Sequence, residues 1–311
     1  MAAEDRVIGN IATLQDKVAV VTGGSSGLGR AICLAYAAAG AYIVNADLRP
    51  DIPDQKTIGA RPINANMDLV TPTVELVTKR WPSQKSGVPR IVYIKCDVTK
   101  EEDVRGAVAE AVKVFGRLDI MVNNAGIAAE ASAKELGKDM IRTHETDVSV
   151  LDKTLAINTR GAWLGTKYSV TQFLAQEPHP VWGRSPFNEA EIHRGWIVNT
   201  ASIMGNVGMA GATSYCVSKG GIMQLTRATA LEYAKDGIHI NALQPGFADT
   251  AILDTMMQKT PGVDAALSML HPWGRTGRPE EIARAAVYLA GEGASWVTGT
   301  SVVIDGGYIA Q

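Results

Sequence analysis

The 311-residue chain is poor in several things that would mark special classes of protein. It has three cysteines, Cys33, Cys96 and Cys216, scattered and odd in number. That excludes a disulfide framework, fits a reducing compartment and shows no metal-ligand spacing. Charge of one sign is lacking too. The formal net charge of -2 gives no field for a nucleic acid or an anionic membrane surface. No apolar run is long enough for a bilayer: the longest, Ala31 to Ala46, is interrupted by Gly40 and Asn45. The acidic start, Met1 to Arg6, has no apolar stretch behind it and does not read as a signal peptide. None of His144, His179, His193, His239 and His271 has a metal partner at useful spacing. These features point to a cytoplasmic, water-soluble protein without a bound metal.

The composition does supply a large core. Hydrophobic residues make up 46% and charged residues 20%, so one extended α/β sheet can use the full length. Lys17 to Val21 is a compact apolar run suited to a buried strand. It ends in Thr22-Gly23-Gly24-Ser25-Ser26-Gly27-Leu28-Gly29. A helical stretch, Arg30 to Ala39, follows and stops at Gly40, and a second apolar run, Ala41 to Ala46, closes on Asp47. Strand, glycine turn, helix, strand and acid in that order form a nucleotide-binding βαβ unit. Glycines let the backbone approach a pyrophosphate, which sits against the free N–H groups at the helix start.

Further strands are predicted at Ile91–Cys96, Leu118–Val122, Trp196–Ala201, Ile238–Leu243 and Ser301–Ile304. Helices are expected near Thr71–Trp81, Glu101–Phe115, Leu151–Leu174, Ala212–Ala234 and Pro279–Ala290. This alternation predicts one doubly wound, mainly parallel, seven-stranded α/β sheet of Rossmann type with helices on both faces. An N-terminal arm (1–16) precedes one domain (17–311). Loop insertions are expected near 50–67, 128–148 and 176–194, with Phe247 to Pro272 irregular.

On the Ala212–Ala234 helix, Tyr215 and Lys219 stand four residues apart and so share a face. A phenol near a fixed positive charge titrates closer to neutrality and can exchange a proton with a substrate oxygen. Ser202 lies 13 residues upstream at a strand end. Met204, Met209, Met256, Met257, Phe247 and Trp273 are candidates for an apolar pocket, while Cys216 reads as a small buried hydrophobe.

With these residues in place the chain resembles the classical short-chain dehydrogenase/reductases from Lys17 to about Tyr308. The T-G-x-x-x-G-x-G turn is Thr22, Gly23, Gly27 and Gly29. The N-N-A-G element is Asn123 to Gly126, the Y-x-x-x-K pair is Tyr215 and Lys219, and the P-G turn is Pro245-Gly246. The family's serine matches Ser202 and its helix asparagine matches Asn158. The resemblance implies that Tyr215 is the general acid or base and that Lys219 lowers its pKa and holds the nicotinamide ribose. Ser202 would orient the substrate oxygen, and Asn158 would hold a proton-relay water. It further implies a cofactor site of Gly23, Ser25, Ser26, Gly27, Leu28, Gly29, Asp47, Leu48, Asp97, Val98, Asn124, Ala125, Gly126, Pro245, Gly246 and Thr250, with Tyr215 and Lys219. Asn123 reads as a tie between neighbouring strands.

Asp47 favours NAD over NADP, because a carboxylate accepts from the adenosine ribose hydroxyl and repels a 2′-phosphate. Leu48 after it and Ser26 in the turn agree, while Arg49 keeps an NADPH-dependent ketoreductase open. The expected reaction interconverts a secondary alcohol and a ketone on a small, cyclic or apolar molecule. The expected assembly is a homodimer or tetramer. Two other classes stay in view. One is a non-catalytic nucleotide-binding scaffold. The other is a serine hydrolase, since Gly23-Gly24-Ser25-Ser26-Gly27 also fits G-x-S-x-G, although here the motif follows the first strand and lacks a convincing downstream histidine.

Overall fold

The structure is a computed structural model and describes residues 11–50, 68, 70–130, 142–185, 188, 190–250, 253 and 262–311. Its centre is a seven-stranded sheet in the order β3-β2-β1-β4-β5-β6-β7, with every pairing parallel. The strands are β1 (Val18–Thr22), β2 (Tyr42–Asp47), β3 (Ile91–Lys95), β4 (Ile120–Asn123), β5 (Gly195–Thr200), β6 (Ile238–Pro245) and β7 (Ser301–Ile304). This is the sheet that the alternation of apolar runs and helical segments predicts.

Alternation along each strand feeds two cores. Ala19 and Val21 of β1, Ile43 of β2 and Trp196 of β5 pack on one face, against α1 (Gly27–Ala38) and the later helix Pro279–Ala290. Val18, Val20, Val44 and Ile197 point the other way, against Glu101–Phe115, Gly161–Ala175 and Thr213–Tyr233. A parallel sheet buried on both faces needs near-continuous apolar strands, and β1, β4, β5 and β6 are buried along their whole length. The order reverses between β1 and β4. Chain connections leave those two strands on opposite sides, and a crevice opens beyond their carboxyl ends.

In chain order the remaining helices are α2 (Thr73–Arg80), α3 (Glu101–Phe115), α4 (Val148–Thr154), α5 (Gly161–Ala175), α6 (Thr213–Tyr233), α7 (Val263–Met269) and α8 (Pro279–Ala290). Three differ from the sequence pattern. The helix expected from Leu151 begins at Val148, where Asp147 caps it by accepting from the Ser149 N–H at 2.7 Å. Between α4 and α5 it passes through a π-helical segment, Leu155–Arg160, which contains Asn158. Within the stretch expected to be irregular, Val263–Met269 is helical. Strand β6 also runs on to Pro245, which pairs with Ile304 of β7 but lies beyond the last β5 partner, Thr200, so no β5 acceptor goes without an N–H there.

Of the three expected insertions, residues 51–67 and 131–141 lie outside the described set. The third, 176–194, is described apart from 186, 187 and 189 and packs at the end of the sheet opposite the crevice. There the Trp182 indole donates to the Gln15 carbonyl at 2.7 Å, and Arg194 N–H donates to Gly237 O at 2.8 Å. No described helix is long and apolar enough to cross a membrane.

Candidate active site

A cavity of about 420 Å³ lies over the carboxyl ends of the strands. Its walls come from both halves of the sheet, so residues far apart in sequence meet there.

The first wall is the glycine turn between β1 and α1. Gly23 and Gly27 have positive φ values of 68° and 51°, which L side chains rarely adopt. A Cβ on Gly29 would overlap the Gly23 carbonyl oxygen, so glycine lets α1 start hard against the turn. The first-turn N–H groups of a helix have no partner within it, and Ser26, at the N-cap of α1, supplies no side-chain cap. Asn124 and Ala125 lock this turn to β4, their N–H groups donating to the Thr22 hydroxyl oxygen at 2.9 and 3.0 Å. At the end of β2 the Asp47 carboxylate accepts the Ser25 N–H at 3.0 Å and also lines the cavity. A backbone cradle with glycine at the two positive-φ positions and at the closed Gly29 position, an open helix start and a carboxylate at the second strand's end fit a dinucleotide.

Of the expected cofactor contacts, Gly23, Ser26, Gly27, Leu28, Asp47, Leu48, Asp97, Val98, Asn124, Ala125, Gly126, Pro245, Gly246 and Thr250 line the cavity. Ser25 and Gly29 do not. The Ser25 hydroxyl turns inward, donating to the Arg49 carbonyl at 2.6 Å and accepting from the Asn45 amide at 3.1 Å. That orientation also removes the geometry a nucleophilic serine would need. Asp97 is fixed by Thr99, whose hydroxyl and N–H donate to it at 2.7 and 3.0 Å and hold its carboxyl below the usual range.

The second wall carries the proton-transfer candidates. Tyr215 and Lys219 of α6 both line the cavity, with the Lys219 ammonium nitrogen 5.5 Å from the phenol ring centroid. Ser202, just past β5, lines it as well and is near enough to the Tyr215 hydroxyl to ease its ionisation. The phenol's acidity differs from expectation. Burial pushes Tyr215 up to about 12, and the neighbouring Ser202 hydroxyl opposes this only in part. Lys219 is itself buried and pulled down to about 8, with its ammonium donating to the Thr200 carbonyl at 2.7 Å. Desolvation therefore outweighs the expected effect of Lys219 on the phenol in this state of the protein.

Asn158 is buried beneath the site and does not line it. Its amide clasps Ile127, accepting from the N–H at 2.8 Å and donating to the carbonyl at 2.9 Å, and it also donates to the Ser218 hydroxyl at 3.0 Å. The side chain thus pins the loop after β4 to α6, from a π-helical segment of a kind often found near functional sites. Asn123 bonds Asn199 at 2.8 Å across β4 and β5, as a tie between strands.

Met204, Met209 and Phe247 supply apolar wall, whereas Trp273 is exposed and outside it. Met256 and Met257 lie outside the described residues. Cys33, Cys96 and Cys216 are free thiols; the first two are buried, whereas Cys216, expected to be buried, is only half-buried.

Sequence patterns gave no indication of Glu130. It lines the cavity and caps α6, its Oε1 accepting the Ser214 N–H at 2.6 Å and the Tyr215 N–H at 3.2 Å. One signal for it existed: α6 has Ala212 at its N-cap and no acid in its first turn, so a 21-residue helix lacked any local cap.

Comparison with known proteins gives the same direction. Residues 63–309 match a family profile described as enoyl-(acyl carrier protein) reductase. The chain is similar to a 2-(R)-hydroxypropyl-CoM dehydrogenase of Xanthobacter autotrophicus, 32% identical over 94% of this chain and 99% of that one. A cis-4-hydroxycyclohexanecarboxylate dehydrogenase of Sinomonas cyclohexanicum is 32% identical over 95% of this chain and 97% of its own length. An NAD-dependent glycerol dehydrogenase of Listeria innocua is also 32% identical, over 95% of this chain and 94% of its own.

Proposed function

The chain belongs to the short-chain dehydrogenase/reductase family, and on that premise we propose that it is an NAD-dependent oxidoreductase interconverting a secondary alcohol and a ketone. The substrate is a small molecule, cyclic or largely apolar. One observation carries the reading: a single cavity holds Ser202, Tyr215 and Lys219 at one end and the glycine turn with Asp47 at the other. Relatives named as dehydrogenases of a hydroxypropyl, a hydroxycyclohexane and a glycerol substrate support chemistry at a CH–OH group.

In this reading NAD supplies the hydride acceptor. The glycine turn and the α1 start hold its pyrophosphate, Asp47 accepts from the adenosine ribose, and Asp97 and Val98 border the adenine. Lys219 holds the other ribose, and Thr250 and the Pro245-Gly246 turn meet the nicotinamide. Ser202 donates to the substrate oxygen and fixes its place beside Tyr215. In oxidation the carbinol loses its O–H proton to the Tyr215 oxygen as the carbonyl forms; in reduction the same hydroxyl returns a proton. Because burial holds the free phenol near 12, catalysis depends on positive charge gathered beside it, and Lys219 is the cavity residue placed to give it. Asn158 acts by fixing the loop and α6 together. The NAD preference rests on Asp47, with Arg49 the one feature favouring NADP.

Exposed apolar side chains on α5 (Trp163, Leu174) and α6 (Val217, Leu231) suit a homodimer or tetramer built on those helices; a monomer mass by light scattering at micromolar concentration contradicts it. The activity is tested by following reduced nicotinamide with a panel of secondary alcohols, with NAD and NADP in parallel. NAD-dependent turnover is expected; tight NAD binding without turnover of any alcohol or ketone would favour a scaffold instead.

A further inference from the structure

Both backbone polar groups of Tyr215 are tied to the loop that follows β4. On one side Glu130 reaches α6, its Oε1 accepting the Ser214 N–H at 2.6 Å and the Tyr215 N–H at 3.2 Å. On the other side the Tyr215 carbonyl accepts from the Ser218 hydroxyl at 2.8 Å. That hydroxyl accepts in turn from Asn158, whose amide clasps Ile127. The same loop begins with Asn124 and Ala125, which lock onto the glycine turn through the Thr22 hydroxyl. It therefore runs from the cofactor cradle to the residue that exchanges the proton. Of the two ties to Tyr215, only Glu130 carries a charge. The N–H groups at a helix start present partial positive charge, and an acid there answers it. Burial is the main influence holding the Tyr215 proton on, and of the charges Cys216 and Glu130 add to it. Facing the phenol are Lys219 and Cys216 from α6 itself, Ser202 from beyond β5 and Glu130 from beyond β4. From the segment before α4, Thr143 meets Thr213, and its neighbours Arg142, His144 and Glu145 are exposed.

We infer that Glu130 is a positioning residue for Tyr215: it fixes the start of α6 through two N–H groups, and its negative charge sets the pH at which the phenol acts as a base. The inference rests on the alcohol-dehydrogenase reading of the same cavity and adds a residue that governs its proton step. Lys219 and Glu130 act on the phenol with opposite signs, the first favouring the phenolate and the second the phenol. Placement and charge separate by substitution. Glutamine keeps an acceptor at the same reach and removes the charge. Aspartate keeps the charge on a stem one carbon shorter, so the hold on the two N–H groups slackens.

The test follows kcat/KM for the best alcohol of the panel against pH at saturating NAD, in the wild type, Glu130→Gln and Glu130→Asp, with thermal denaturation as a check on folding. In oxidation the phenol must lose its proton to act as a base, so the rate climbs with pH through an acid limb. Glu130→Gln should move that limb to lower pH by about half a unit or more, the size of one like charge removed from a partly screened site. A cap without electrostatic influence leaves the limb in place. Glu130→Asp should leave the limb near its wild-type position and lower kcat by about tenfold with KM for NAD and alcohol unchanged, as a misplaced proton-transfer group does. The aspartate variant also decides the matter if the glutamine variant does not fold. A limb that stays put in Glu130→Gln, or a Glu130→Asp that changes KM and spares kcat, overturns the role of Glu130 and leaves the dehydrogenase reading standing. Absence of turnover in the wild type with every alcohol overturns both.

Discussion

Replacing Asp47 by asparagine should change the cofactor while leaving the fold alone. The carboxylate ends β2, accepts the Ser25 N–H at 3.0 Å, and meets the Arg49 N–H only at 3.4 Å. Asparagine keeps an acceptor for Ser25, so the glycine turn stays in place and only the charge goes. A ribose hydroxyl bonded to a carboxylate contributes about 1.5–3 kcal/mol, and its neutral counterpart about half that. NAD should therefore lose on the order of tenfold in kcat/KM. The effect on NADP is larger and of opposite sign. A dianionic phosphate about 5 Å from the carboxylate feels roughly 7 kcal/mol of repulsion at an effective dielectric constant near 20. Salt and the neighbouring Arg49 reduce this, and even about 3 kcal/mol is a factor of more than a hundred. The assay is steady-state kcat/KM with each cofactor at fixed ionic strength, with thermal denaturation as a check on folding. The wild type should prefer NAD at least a hundredfold, and Asp47→Asn should raise the NADP-to-NAD ratio by thirtyfold or more. Equal use of both cofactors by the wild type, or a ratio that moves less than threefold in the variant, refutes the assignment of Asp47.

Two further predictions concern the frame. A Cβ on Gly165 would overlap the Asn123 amide oxygen and lie 2.6 Å from Met121 Cε, against a network in which Asn123 bonds Asn199 and Asn199 bonds Thr226 at 2.9 Å. Gly165→Ala should destabilise by about 3–5 kcal/mol through overpacking and a broken buried hydrogen bond, seen as a fall of about 5 °C or more in Tm; an unchanged Tm contradicts the packing. At the far end of the sheet His193 Nδ1 and His239 Nε2 lie 2.7 Å apart, His239 stacks on Trp196, and the Lys17 ammonium sits 3.2 Å from the Trp196 ring centroid. Burial, aided by the His193 charge, pulls His239 down to about 4 from its usual 6.5, and burial also lowers His193. The unfolded chain thus binds more protons than the folded one between those values. Stability is full above pH 6.5 and falls as pH drops toward 4, by about 3 kcal/mol from His239 alone. Chemical denaturation across that range should show the loss, shallower in His239→Gln; parallel curves for the two proteins contradict the pair's role.

How much the sequence alone reveals depends on whether a feature is local. The run from Lys17 through the glycine turn to Asp47 is legible because apolar periodicity, glycines and a closing acid are neighbours in the chain. Tyr215 and Lys219 are legible because helical spacing puts them on one face. Glu130 is not, because a polar side chain crossing from the loop after β4 to the start of α6 leaves no periodic trace. Asn158 shows the middle case. Its position in the motif is readable, but its clasp on Ile127 depends on how two distant segments dock. The same holds for the 176–194 segment, whose composition announces a loop without saying at which end of the sheet it sits. The phenol's acidity is set by burial, which needs the closed cavity to be known.

The central claim is that Tyr215 exchanges the proton in an NAD-linked oxidation within this cavity. Its most direct test is Tyr215→Phe, with reduced nicotinamide followed against the best alcohol of the panel and NAD affinity measured by calorimetry. The account predicts a loss of about a thousandfold in turnover, with an NAD dissociation constant within a few-fold of the wild type. A variant that reduces NAD at close to the wild-type rate contradicts it.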